Sequence, residues 1–265
     1  MTPIAVTIAA SDSSGGAGIA ADLKTFSALR VYGAAIITAL TAQNTREVLA
    51  IEDVPAHFVT AQMNAVFSDL EVGAVKIGMV RNPAGIEAVA NGLARWSQTQ
   101  VVLDPVMGAS SGREFLSKDA IEALKTRLIP RALLITPNLP EAATLLRGPI
   151  ACTQDEMREQ GERLLEMGAK AVLIKGGHAT GLQSVDLLVE HDGVTRFAAH
   201  RVQTRNTHGT GCTLSSAIAA SLAKGLDLAE AVRLAKRYVT DALAAADRIK
   251  VGQGAGPLHH FHGSW

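Results

Sequence analysis

Cysteine is nearly absent from this chain. Cys152 and Cys212 are the two among 265 residues, far apart and with no C-x-x-C pair, which excludes a disulfide framework and a zinc knuckle. Net charge is absent as well: 25 Lys and Arg balance 25 Asp and Glu. No basic block is long enough to follow a nucleic-acid backbone or an anionic membrane surface. The apolar run in MTPIAVTIAASD is far too short to span a bilayer and has no basic start before it, so a cytoplasmic protein is expected. The 48% hydrophobic content and 24 glycines exclude a fibre or a disordered chain and suit a globular enzyme with a small-molecule partner. No repeat, low-complexity tract or linker interrupts residues 1–265, which are read as one domain.

Short apolar runs are present instead, at Ile4–Ala10, Ala34–Leu40, Val75–Ile77, Val101–Leu103, Leu133–Ile135 and Ala171–Ile174. Helix-like spacing separates them, over Ile19–Leu29, Ala56–Phe67, Ala84–Trp96, Lys118–Leu128 and Asp155–Met167, with Gly168 as a C-terminal cap. This alternation predicts an α/β fold of three layers, a mostly parallel sheet with helices on both faces. Val185–Glu190 and Thr195–Ala198 flank His191-Asp192-Gly193 and predict an antiparallel edge hairpin. The strand ends deliver Ser11-Asp12, Thr41-Ala42-Gln43, Gly78-Met79, Asp104-Pro105, Thr136-Pro137-Asn138 and Lys175-Gly176-Gly177. In an open parallel sheet such corners line one crevice.

A nucleotide loop is hinted at by Gly16, Gly18 and Ala21, which have dinucleotide-turn spacing. The test is a carboxylate at the end of the second strand, and Thr41-Ala42-Gln43 supplies none. No G-x-x-x-x-G-K-[ST] loop occurs either. The stronger anion site is NTHGTGCTLSSAIAASLAKG, where Gly209-Thr210-Gly211 opens a helix of small residues. Its unpaired N–H groups and dipole suit an anion, and Cys212 lies where that dipole should favour a thiolate.

The segments SDSSGGAGIAADLKTF, TALTAQNT, KIGM, LDPVM, TPNLPEA, LIKGGH, THGTGCTLSSAIAA and GPLHHF resemble, in order and almost end to end, the blocks of the ribokinase superfamily. Within it the chain is similar to the hydroxymethylpyrimidine and phosphomethylpyrimidine kinases of thiamine biosynthesis. The resemblance implies ATP and Mg2+ as cofactors, a pyrimidine substrate and a homodimer. It implies a substrate pocket of Ala17, Asp22, Gln43 and Met79, in which the Gln43 amide pairs with the aminopyrimidine edge. Gly209, Thr210 and Gly211 would form the anion hole, with Lys175 and Asn138 at the ATP phosphates. The two glycines after Lys175 would leave room for the phosphate chain. Asp104 and, ranked below it, Glu141 would serve the metal, although a first-turn helix carboxylate also explains Glu141. Cys212 would be the base that deprotonates the hydroxymethyl group, where most of the superfamily carries Asp.

A pyridoxal or pyridoxine kinase is the alternative, and Ser13 and Ser14, where one such branch has cysteines, lean toward the pyrimidine. A dinucleotide-dependent oxidoreductase and a non-catalytic vitamin-binding protein are the readings from other classes. His259, His260 and His262 invite a metal but read better as a packed or solvated end.

Overall fold

The structure, a computed structural model, describes residues 2–108, 115–178 and 181–265. Its strands are β1 (Ile4–Ala10), β2 (Tyr32–Gln43), β3 (Val48–Asp53), β4 (Ala74–Ile77), β5 (Val101–Leu103), β6 (Leu134–Ile135), β7 (Ala171–Lys175), β8 (Gln183–Glu190) and β9 (Gly193–His200). They form a sheet of order β3-β2-β1-β4-β5-β6-β7-β8-β9. The six strands from β2 through β1, β4, β5 and β6 to β7 run parallel. The predicted hairpin is the β8–β9 edge, with Glu190 paired to Gly193 across a two-residue loop. The opposite edge, β3 antiparallel to β2, has no counterpart in the sequence reading.

The helices are α1 (Gly18–Ala28), α2 (Ala56–Phe67), α3 (Pro83–Arg95), α4 (Lys118–Ala123), α5 (Leu139–Leu146), α6 (Gln154–Leu165), α7 (Thr210–Ala223) and α8 (Leu228–Ala244). One sheet face packs on α2 to α6 and the other on α1, α7 and α8. Strand residues alternate between the two cores, Val75 and Ile77 toward the first and Ala74 toward the second. The helix predicted over 118–128 loosens after Ala123 into a π-helical turn, Leu124–Leu128, and a 3-10 turn that holds Pro130. Proline lacks the N–H that a continuing α-helix needs. Gly168 has φ +101°, as its capping position requires.

The order of the strands reverses between β1 and β4, the place where an open sheet leaves a crevice at its carboxyl edge. The chain's end closes one side of it. His259 and His260 are buried, and His260 Nε2 lies 3.1 Å from Thr213 Oγ1 in the first turn of α7. That hydroxyl already donates to the Gly209 carbonyl at 2.9 Å, so His260 carries its proton on Nε2 and donates it. Burial, helped by Lys24, His259 and His262, pulls the His260 pKa down to about 4. The unfolded ring accepts a proton near pH 6.5, so stability falls as pH drops from there toward 4 and is regained on raising it. Urea midpoints should show His260→Gln, which still donates, losing about 2 kcal/mol less than the unmutated protein between pH 7 and pH 5. Equal losses would contradict a neutral buried His260.

Candidate active site

The crevice is a cavity of about 1960 Å³, and each of the six strand-end corners contributes to its wall. Its candidate anion-binding end is built at the start of α7. Gly209 is the residue before the helix and has φ +83°. A Cβ there would sit on the Gly16 carbonyl oxygen, so glycine is required twice over. Gly211 is one residue into the helix, and a Cβ on it would lie 3.2 Å from Lys175 Nζ and 3.4 Å from Asp104 Oδ2. Thr210 N–H donates to the Thr207 carbonyl at 3.2 Å, and the next amides of α7, with no intrahelical acceptor, lie close to a buried ammonium and a carboxylate.

Cys212 stands where two helices begin, because Gly18 N–H, at the start of α1, is near enough to its sulfur to favour the thiolate slightly. The expected lowering of its pKa does not follow. Burial pushes the thiol up to about 11, and Lys76 counters this only in part. Cys212 is half-buried in the cavity wall, and desolvation by the protein around it outweighs two helix dipoles worth a fraction of a charge each.

Lys175 ends β7 and is buried, not solvated. Its Nζ lies 2.6 Å from Asp104 Oδ1 and 3.9 Å from Glu141 Oε2. Thr136 Oγ1 donates to the same Asp104 oxygen at 3.0 Å. Burial raises the Asp104 pKa, but Lys175 and Lys76 outweigh it and hold the carboxyl below its ordinary range. Glu141 behaves oppositely. Its burial, with Asp104 adding to it and Lys175 opposing, pushes it up to about 7. Glu141 also closes a capping box on α5, accepting from Asn138 N–H at 2.7 Å while Asn138 Oδ1 accepts from Glu141 N–H at 2.9 Å. Asn138 therefore has only its amide NH2 left for an anion. Of the glycines after Lys175, Gly176 is required by the Val185 carbonyl of β8, whereas Gly177 faces open space in the cavity wall.

At the other end of the cavity, Asp12 organises the opening glycine segment. It accepts from Ser14 N–H and Oγ, from Gly16 N–H at 3.1 Å and from Ala17 N–H at 2.8 Å. Those amides are occupied, which ends the dinucleotide reading of the loop. Burial opposes ionisation of Asp12, but bonds from His208 and Ser14 prevail and lower its pKa. His208 Nε2 lies 2.8 Å from Asp12 Oδ2 and 3.3 Å from Gln43 Nε2. The carboxylate can only accept, so His208 donates to it and would meet a second donor in Gln43. Thr41 Oγ1 is 3.3 Å from Gln43 Oε1, yet it already donates to the Ser11 carbonyl at 2.9 Å. Turning the Gln43 amide puts its NH2 on Thr41 Oγ1 as an acceptor and its oxygen beside the His208 N–H, a proton it then shares with Asp12.

Ala17, Gln43 and Met79 line the cavity as expected. Met79 is held by Thr38 Oγ1, which donates to its carbonyl at 2.6 Å, and packs with Ala10 and Ala39. Asp22 is a correction: it is fully buried beneath the wall, with its oxygens bonded by Lys76, Thr7 and Ser216. No oxygen is exposed to a substrate. The Asp12–His208 pair and Lys76 are site features the sequence reading missed. Lys76 was visible as a charge inside a short buried strand, where a cation needs a partner.

The sequence model of phosphomethylpyrimidine kinase matches residues 12–259. This chain belongs to the phosphomethylpyrimidine kinase family. The hydroxymethylpyrimidine/phosphomethylpyrimidine kinase of Rhizobium meliloti is 58% identical to it over 265 residues, 100% of this chain and 99% of that one. Among solved structures, the family's member from Clostridium difficile superposes with a TM-score of 0.81 at 45% identity, over 91% of this chain and 99% of that one. The ADP complex of Bacillus subtilis pyridoxal kinase superposes with a TM-score of 0.91 at 35% identity, over 98% of each chain. The ribokinase-like α/β fold and the kinase class implied by the sequence blocks are thus shown.

The contact between Gly16 and Gly209 carries a prediction for this family member. Gly209→Ala should lower the denaturant-derived stability by about 2 kcal/mol or more, since it combines left-handed strain with a backbone clash. An unchanged midpoint would mean that the two loops do not meet.

Proposed function

We propose that this kinase moves the γ-phosphoryl group of ATP to the alcohol of 4-amino-5-hydroxymethyl-2-methylpyrimidine, and then a second one to the resulting monophosphate. The product is the pyrimidine diphosphate of thiamine biosynthesis. One observation carries the reading. A single cavity holds an uncapped helix terminus, a thiol and the Lys175–Asp104 pair at one end, and the hydrogen-bonding side chain of Gln43 at the other.

In the first transfer the alcohol oxygen bonds to phosphorus as the bond to ADP breaks, and the alcohol proton passes to the Cys212 thiolate, formed once the thiol has released its own proton to solvent. Charge on the moving group is met by the first amides of α7 and by Lys175. Asp104 and Glu141 fit Mg2+, a hard cation that takes oxygen donors. Asp104 Oδ2 has only a 3.5 Å contact from Ser215, so it keeps acceptor capacity. Bound there, Mg2+ supplies charge neutralisation along the phosphates. Gln43, oriented by His208 and Thr41, offers a donor and an acceptor to the ring edge, and Met79 packs on the ring.

A cytoplasmic homodimer of single-domain subunits completes the proposal. Among the described residues no helix is long and apolar enough to cross a membrane. The close superposition with a pyridoxal kinase favours one second reading, pyridoxal as acceptor.

Comparing hydroxymethylpyrimidine, its monophosphate and pyridoxal in an ATP-dependent transfer assay tests both. The pyrimidines are expected to have the higher kcat/KM, and a preference for pyridoxal would overturn the assignment. Gln43→Ala should raise the KM of the pyrimidine about tenfold or more while leaving that of ATP, since a buried hydrogen bond costs about 1–3 kcal/mol to break. An unchanged pyrimidine KM would remove Gln43 from the pocket.

A further inference from the structure

Beneath Cys212 lies a charge pair that the transfer chemistry above leaves unused. Lys76 is fully buried in the middle of β4. Thr7 and Lys76 are register partners on neighbouring parallel strands, so both side chains leave the sheet on the face covered by α1 and α7. Asp22 of α1 receives them there. Lys76 Nζ lies 2.8 and 3.0 Å from its two oxygens, Thr7 Oγ1 donates at 2.6 Å, and Ser216 Oγ of α7 donates at 2.7 Å.

Helix periodicity puts this cluster under the thiol. Asp22 follows Gly18, whose N–H lies near the Cys212 sulfur, by one helical turn, and Ser216 follows Cys212 by one turn. Residues i and i+4 stack on one helix face, so the pair sits between the second turns of both helices. A buried ion pair is poor stability design, because apolar residues of the same volume often do as well or better. Lys76 lines the cavity together with Cys212, while Asp22 stands outside its wall.

We propose that Lys76 is a positioning residue for the reaction at Cys212, its ammonium anchored by Asp22 so that a fixed positive charge lies where the Cys212 thiolate forms. This rests on the reading of Cys212 as the base. The charged groups acting on the sulfur are Lys76 from β4, Asp22 from α1, Asp104 after β5 and Lys175 from β7. Among them Lys76 is the largest influence on the thiol, and it opposes burial.

The experiment measures alkylation of the full-length protein by iodoacetamide at pH 8, with Cys152→Ser as background because Cys152 is exposed. At a pH below the thiol pKa, the thiolate population falls about tenfold each time that pKa rises by one. Lys76→Met combined with Asp22→Asn should alkylate roughly tenfold or more slowly at Cys212. Removing Asp22 alone takes away a negative charge, so it works against that loss. Lys76→Gln, which still donates to Asp22 and leaves its negative charge in place, should show a larger drop and serves if the double variant does not fold. Lys76→Arg should stay within about threefold of the background protein. An unchanged rate in a folded charge-free variant overturns the proposal, as does an equal drop in Lys76→Arg. Turnover is not the readout, so failure of Cys212 as base would leave this test standing.

Discussion

The active site depends on a contact between two stretches of backbone. Gly209 can enter α7 with a left-handed φ while the Gly16 carbonyl occupies the space a side chain would need. This approach brings the start of α7 to the start of α1, so that Gly18 N–H reaches the Cys212 sulfur. Asp12 then locks the glycine segment from inside, and His208, adjacent to Gly209, locks it from the other side. The part proposed to surround the pyrimidine and the part proposed to receive the phosphoryl group are therefore one junction of backbone and carboxylate.

Burial sets the electrostatics of the floor. Two lysines, Lys76 and Lys175, are placed against Asp22 and Asp104 at hydrogen-bond distance, so neither carboxylate is isolated in the low-dielectric interior. The groups without a counter-ion at hydrogen-bond distance respond differently: Glu141 is pushed up to about 7 and Cys212 to about 11. Both are groups that phosphates, a divalent cation or a departing proton would act on. The resting site thus holds its fixed charges in pairs and leaves its adjustable ones protonated or nearly so.

Much of this was legible in the sequence for physical reasons. Parallel strands covered on both faces read as plain apolar runs, and their polar ends mark the crevice. Gly209-Thr210-Gly211 before a helix of small residues marks the proposed anion site. What the sequence concealed was burial. Asp22, read as a pocket residue, is the anchor of Lys76 below it, because the partner of a buried charge lies on a distant strand. Cys212 shows the same limit: a helix start is visible in one dimension, and desolvation is not. The β3 edge and α8 were missed as well. The β3 edge carries no glycine or polar signature of its own, whereas α8 was passed over although Asp227 caps it and its apolar residues recur at helical spacing.

The central claim is that Cys212, at the junction of α1 and α7, takes the proton of an alcohol. In the second transfer the nucleophile is a phosphate oxygen, already largely anionic at neutral pH because its second pKa is near 6, and it needs no base. Steady-state turnover of Cys212→Ala with each acceptor is the direct measurement. The account predicts a loss of roughly 10²–10⁴-fold with the hydroxymethylpyrimidine and a much smaller loss with its monophosphate, whereas equal losses with both acceptors would contradict it.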